Sequence, residues 1–191
     1  MSRQDKIVAR GAKGAQGTLI QYGALCWRRN GTSVEVLLIT SRATGRWVIP
    51  KGWPMTGRAP EATAAQEAWE EAGVRGQVNP VCLGRFGYMK CLTPEAAVPC
   101  AVAVYGVKVD SLADKFPEVK VRTRRWFSPA EAAAAVDEPE LARLIAGFTP
   151  ASEGRAAHRC RSRQNGAEED PGAAEAGALR DQRLRQAERF A

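Results

Sequence analysis

Strands interspersed with a few helices predict an α/β protein, a sandwich of helices around a mixed β-sheet. Three observations carry this. The run VEVLLIT at 34–40 is almost wholly apolar, the pattern of a central strand covered on both faces. Further short apolar stretches, such as LIQYGALCW at 19–27, are bounded by Gly, Pro, Asn and Asp. The segment APEATAAQEAWEEAG at 59–73 repeats with helical rather than strand spacing.

In chain order, residues 1–17 (MSRQDKIVARGAKGAQG) form a flexible arm without the apolar stretch of a secretory signal. Residues 18–29 read as a strand, Asn30-Gly31 as a hairpin turn and 33–41 as the central strand. A loop at 42–45 precedes a short strand, 46–49, that stops at Pro50. The helix at 59–72 has Pro60 and Glu61 in its first turn, where no N–H is lost and an anion meets the positive dipole end. Gly73 suits the left-handed position after it, with Val74 folding back as a stop. Residues 77–91 and 100–109 are two more strands.

A last strand at 118–127 puts Val119, Val121 and Thr123 on one face and Lys120, Arg122 and Arg124 on the other. Ser128, Pro129 and Glu131 spell a capping box that starts a helix, and 139–148 is the final helix. From residue 150 onward Ala, Gly, Arg and Glu dominate. So poor an apolar content predicts disorder, with a frayed helix near 179–190. The expected organisation is thus an arm at 1–17, one domain at 18–149 and a tail at 150–191.

Composition excludes several function classes. The 191 residues contain no apolar run near the ~20 needed to span a bilayer. The five cysteines, at 26, 82, 91, 100 and 160, show no C-x-x-C pairing and read as reduced thiols, which predicts a cytoplasmic protein. His158 is the only histidine, so neither a Ser-His-Asp triad nor a multi-histidine metal site is available. The net charge is +7, and residues 1–150 hold most of it, with 20 Lys and Arg against 14 Asp and Glu. That excess suits a polyanionic small molecule. Nucleic acid is the poorer explanation, because no basic helix, finger or aromatic-interleaved motif accompanies the charge. The oligomeric state does not follow from the sequence.

At about 100° per residue, Glu67, Glu70 and Glu71 fall on one face of the 59–72 helix, and Ala65, Ala68, Trp69 and Ala72 fall opposite. Three carboxylates so close weaken a bare helix. A divalent cation reverses that penalty, and hard oxygen ligands suit Mg²⁺, with Mn²⁺ as the other candidate. Taken alone, the cluster reads first as an ordinary solvated acidic face, because charge runs usually face solvent.

The surrounding pattern favours the metal. Residues 52–74 resemble the Nudix box, G-x5-E-x7-R-E-U-x-E-E-x-G-U with U apolar: Gly52, Glu67, Ala68, Glu70, Glu71, Gly73 and Val74 all match in register. Arg58 and Gln66 depart from it, standing where the pattern has Glu and Arg. Both charges change together, and Gln66 retains an amide that can donate to a neighbouring carboxylate. The flanks VLLITSRATGRWVIPKG and TRRWFSPAEAAAAV resemble the diphosphoinositol polyphosphate phosphohydrolase branch, so the likeness covers roughly 18–148.

The resemblance implies a Nudix fold and a metal-dependent hydrolase of a diphosphate linked to another moiety. It implies Glu67 and Glu71 as metal ligands, joined by the backbone at Lys51 and Gly52, with Glu70 as general base. Ser41, Arg42, Arg46, Lys51, Lys90, Arg122 and Arg124 are the expected substrate contacts, Arg forks being suited to phosphate. So many cations favour a highly phosphorylated substrate such as an inositol pyrophosphate or a dinucleoside polyphosphate. Trp53 is the expected pocket wall, while Trp27, Trp47 and Trp126 belong to the core. The rival reading is a non-catalytic module that binds a nucleotide or inositol polyphosphate as a sensor. Arg58 and Gln66 sustain it, and the three retained glutamates weigh against it.

Overall fold

The computed structural model describes residues 17–93 and 96–150. The expected arm at 1–17, apart from Gly17, and the expected tail lie outside the described residues, as do Cys160 and His158. The elements run β1 (Leu19–Asn30), β2 (Ser33–Thr40), β3 (Trp47–Val48), β4 (Lys51–Gly52), α1 (Pro60–Ala72), β5 (Val74–Thr93), β6 (Ala96–Leu112), β7 (Arg124–Phe127), α2 (Pro129–Ala135) and α3 (Pro139–Ala146). The strands form one mixed sheet in the order β3-β2-β1-β6-β5, with β4 pairing β1 and β7 pairing β2. The β1–β6 pair is parallel and the other pairs are antiparallel.

The sandwich follows from period-2 alternation in β1 and β2. Leu25, Trp27, Val36 and Leu38 pack on one face with Ala132, Leu141 and Ile145 of the two short helices. Ala24, Cys26, Leu37 and Ile39 pack on the other with Ala64, Ala68 and Ala72 of α1. Val36 to Ile39 are fully buried, as a central strand requires.

The end signals act as their sequences predict. Gly73 adopts φ 66° after α1, and its N–H donates back to the carbonyls of Ala68 and Trp69. Ser128 and Glu131 close both halves of the capping box before α2. Cys26 and Cys100 are buried free thiols and Cys91 an exposed one, while Cys82 is buried. No helix among the described residues is long and apolar enough to cross a membrane.

Several expectations need correction. The hairpin turn is Gly31-Thr32, because Asn30 still pairs with Ser33. Trp47 and Trp126 pack against the core from its margin, both half-buried, and the Arg28 guanidinium lies 4.1 Å from the Trp126 ring centroid. The packing stripe of α1 is Ala64, Ala68 and Ala72 rather than the row through Ala65 and Trp69, both of which are only partly buried. An i, i+4, i+8 row of alanines lets the helix lie close on the sheet.

The largest correction concerns 118–127. Residues 117–121 are turns, and the strand begins only at Arg124. Val119 and Val121 are 41% and 56% exposed, whereas the Arg122 side chain is 7% exposed. The expected faces are thus reversed: the guanidinium is inside because buried carboxylates receive it, and the valines are left outside.

Candidate active site

The site forms where β4 meets α1. Tyr22 and Gly23 of β1 pair with Gly52 and Lys51, which draws the short strand under the helix. A Cβ on Gly52 would lie 2.0 Å from Glu67 Oε1, so only glycine allows this approach. The Lys51 N–H donates to Glu71 Oε2 at 3.0 Å, tying strand to helix.

Above this junction opens a cavity of about 1190 Å³, into which Glu67, Glu70 and Glu71 all project. Glu67 sits deep enough for burial, reinforced by the charges of Glu71 and Glu70, to push its carboxyl up to about 8. Burial also raises Glu71, opposed by the Arg122 guanidinium. Glu70 is differently placed. Arg58 Nη1 donates to Gln66 Oε1 at 2.8 Å, and Gln66 Nε2 donates to Glu70 Oε1 at 2.7 Å. The two residues that depart from the box pattern therefore form a polarised relay that fixes one oxygen of Glu70 and leaves the other to the cavity.

Arg122 reaches in from the turn segment. It donates to Glu71 Oε1, to Glu118 Oε2 and, through Nη1 at 2.9 Å, to the carbonyl of Thr40. Both oxygens of Glu71 thus already carry protein donors. Among the described residues no three His, Cys, Asp or Glu side chains converge as a preformed metal cage. The donor set nonetheless fits a hard divalent cation: three carboxylates share the cavity, one is held against its charged form by burial and then by its neighbours' charges, and Gly52 clears space beside it.

The expected substrate contacts divide. Ser41, Arg42, Arg46, Lys51, Lys90 and Arg122 all line the cavity. Arg124 does not. Its Nη1 donates to the carbonyls of Ala72 at 2.7 Å and Ala113 at 2.8 Å, so it closes the C-terminal end of α1 instead. Arg42 pairs with Glu118 at 3.3 Å, and Arg46 pairs with Asp137 at 3.2 Å and Glu138 at 2.9 Å. Lys51 and Lys90 have no carboxylate within ion-pair range among the described residues; they lie 5.3 Å and 5.4 Å from the ring centroids of Tyr88 and Trp53. Burial pulls the Lys51 ammonium down to about 8 against the opposing charge of Glu71. Trp53 is a wall of the cavity, as its loop position suggested.

Sequence reasoning missed four contributors. Gln21 of β1 is buried and accepts from Tyr88 Oη at 2.6 Å. A polar residue in an otherwise apolar strand was the available signal, and Tyr88 is two residues from Lys90 on the same strand face. Glu118 and Glu138 are isolated acids outside any motif, and nothing in the sequence singles them out.

A family model described as the NUDIX domain matches residues 19–148. The chain belongs to the Nudix family. It is 31% identical over 123 residues to the Arabidopsis thaliana protein "Nudix hydrolase 16, mitochondrial", covering 62% of this chain and 68% of that one. To the mouse "Diphosphoinositol polyphosphate phosphohydrolase 3-alpha" it is 35% identical over 71 residues, or 37% of this chain and 43% of that one. For several of the curated relatives the aligned part is about half their length or less. Among solved structures, the Escherichia coli dihydroneopterin triphosphate pyrophosphohydrolase superposes with a TM-score of 0.52 at 13% identity, over 68% of this chain and 93% of that one. That likeness concerns the fold. By its membership the chain is a Nudix hydrolase, and the sandwich with its mixed sheet is the Nudix fold.

Proposed function

We propose that this Nudix hydrolase cleaves a pyrophosphate bond with the help of a divalent cation, Mg²⁺ or Mn²⁺, in a compound that links a diphosphate to another moiety. The observation that carries the reading is the meeting of Glu67, Glu70 and Glu71 in one cavity with two ammonium groups that have no carboxylate within ion-pair range among the described residues.

Such a bond resists water because its own negative charge repels a nucleophile. A divalent cation held by Glu67 and Glu71, with the backbone at Lys51 and Gly52 beside them, would screen that charge. The remaining work falls to side chains of this chain. Glu70 orients and deprotonates the attacking water through the oxygen that Gln66 leaves free. Lys51 and Lys90 hold the phosphates, and Trp53 walls the moiety attached to them.

The charge pattern narrows the substrate. Of the five cationic side chains that line the cavity, Arg42, Arg46 and Arg122 already have carboxylate partners. With Arg124 also withdrawn, the broad basic stripe that favoured an inositol pyrophosphate or dinucleoside polyphosphate is reduced, among the described residues, to two ammonium groups without an ion-pair partner. Two cations match a diphosphate bridge better than a phosphate-dense ring.

The test is a substrate panel. Nucleoside diphosphate conjugates, dinucleoside polyphosphates and inositol pyrophosphates are assayed with Mg²⁺, Mn²⁺ and excess EDTA. The expected result is metal-dependent turnover, best for diphosphate conjugates and abolished by EDTA. Undiminished turnover in EDTA overturns the metal role. A clear preference for inositol pyrophosphates restores the phosphate-dense substrate, and binding without turnover of any compound sustains the sensor reading instead.

A further inference from the structure

The Arg122 guanidinium occupies an unusual place for a residue near a phosphate site. It is almost wholly buried, and every partner it has belongs to the protein: Glu71, Glu118 and the carbonyl of Thr40. One of these partners, Glu71, has its other oxygen taken by the Lys51 N–H. Each Glu71 oxygen therefore already accepts one protein hydrogen bond, which leaves only its remaining lone pairs to another partner. A divalent cation that takes Oε1 brings two positive charges into contact with each other or displaces the guanidinium.

The geometry points to Arg122 as an internal competitor of the metal ion: it holds Glu71, and the ion binds by displacing it. This rests on the metal-assisted reading above. The segment that carries Arg122 is suited to yielding. Residues 117–121 are turns, and Val119 and Val121 on them are exposed, so little apolar burial opposes a shift. The anchors on either side, Glu118 N–H to the carbonyl of Glu70 at 3.1 Å and Thr40 N–H to the carbonyl of Thr123 at 2.9 Å, keep any movement local to Arg122. A freed guanidinium still lies beside the cavity, next to Arg42, where a substrate phosphate can receive it.

The proposal reverses the usual expectation for a residue in a metal site. A supporting residue, once removed, weakens the ion. A competitor, once removed, leaves Glu71 with the Lys51 N–H alone and Glu118 with Arg42 alone, and strengthens it. The full chain is titrated with Mn²⁺ alone, without substrate, and free Mn²⁺ is followed by electron paramagnetic resonance. Arg122→Ala and Arg122→Gln are each expected to lower the Mn²⁺ Kd by at least about tenfold, the scale of one charge-assisted hydrogen bond removed from competition. Arg122→Lys, which keeps the charge but loses the fork, falls between these and the unmodified chain. If Arg122→Ala does not fold, Arg122→Gln and Arg122→Lys carry the comparison.

Unchanged or weaker Mn²⁺ binding in the folded variants, beside a normal unmodified chain, overturns the competition and leaves Arg122 a fixed support. An unmodified chain that takes up no Mn²⁺, with variants equally inert, overturns both this proposal and the metal role in catalysis.

Discussion

Helix α1 and the segment 117–124 touch at the centre of the site, through Arg122 and Glu71 and through the Glu118 N–H on the Glu70 carbonyl. They hold their charges by opposite means. In α1 the three glutamates share a face because 3.6 residues make a turn, and the alanine row behind them fixes which face that is. Most of this is local. In 117–124 no repeat places anything. Arg122 is buried because Glu71 and Thr40, far away in sequence, accept from it. Arg124 is fixed by the open carbonyls at the end of α1. A helix can therefore be read from its own text, while a turn segment takes its conformation from what surrounds it.

The largest expected effect sharpens the contrast on the helix side. Glu70→Gln keeps the shape of the side chain and its contact with Gln66 but removes the base, so kcat should fall by roughly 10²-fold or more. Lys120→Ala, on an exposed turn of the other segment, should leave kcat unchanged. Steady-state kinetics of both variants on one substrate decide it. A Glu70→Gln enzyme with full activity would mean that the helix face gathers charge for some other purpose.

Arg124 offers a sharper break. A basic strand bordering the substrate predicts a raised KM for Arg124→Ala and an unchanged melting temperature. The hydrogen bonds to Ala72 and Ala113 predict the reverse. Losing charge-assisted bonds to two carbonyls should cost about 2–3 kcal/mol of stability, with KM for a diphosphate conjugate unmoved. Urea unfolding and kinetics on the same preparation separate the two.

This pair also shows how far the sequence could be read. Both caps, the buried central strand and the glutamate face depend on spacing within a few residues, and they are where the text puts them, whereas the two-residue strand at Lys51–Gly52 carries no local signal and was not expected. Trp53 and the cavity-lining set from Ser41 to Lys90 were legible because the box fixes their surroundings. The failures share a cause. Val119-Lys120-Val121-Arg122 alternates like a strand, but alternation over so few residues cannot outweigh a buried carboxylate that needs a cation. Glu118, Glu138 and Tyr88 depend on contacts between segments up to 91 residues apart, as Arg46 and Asp137 are, and no local pattern encodes them.

A smaller effect tests the crowding of the helix face. The Glu67 carboxyl titrates near 8, above its ordinary value of 4.5, so the folded state holds a proton that the unfolded state gives up earlier. The unfolded chain therefore binds fewer protons across that window, and stability present below about 4.5 is lost as pH rises toward 8. The melting temperature of EDTA-treated protein should decline over this range, and saturating Mg²⁺ should flatten the decline by favouring the ionised form. Scanning calorimetry at several pH values measures it. A flat profile without metal would show that Glu67 is better solvated than its position suggests.

The smallest expected effect belongs to the valines and is the most direct test of the turn. If 118–127 were a strand with Val119 and Val121 packed inward, replacing either by Ser would remove buried methyl groups and add an unpaired hydroxyl. That would cost about 1.5–3 kcal/mol for each side chain. In the structure both side chains already meet water, at 41% and 56% exposure, and Phe116 supplies the buried apolar contact of this stretch. Val119→Ser and Val121→Ser should therefore change stability by no more than about 0.5 kcal/mol each, as ordinary surface substitutions do. Both sites are on turns, where serine is at home, so secondary-structure preference adds no hidden penalty. Denaturant unfolding of the single and double variants is sufficient. A double variant destabilised by several kcal/mol would mean that the valines are buried in solution, and Arg122 would then have to leave Glu71 for the opposite face.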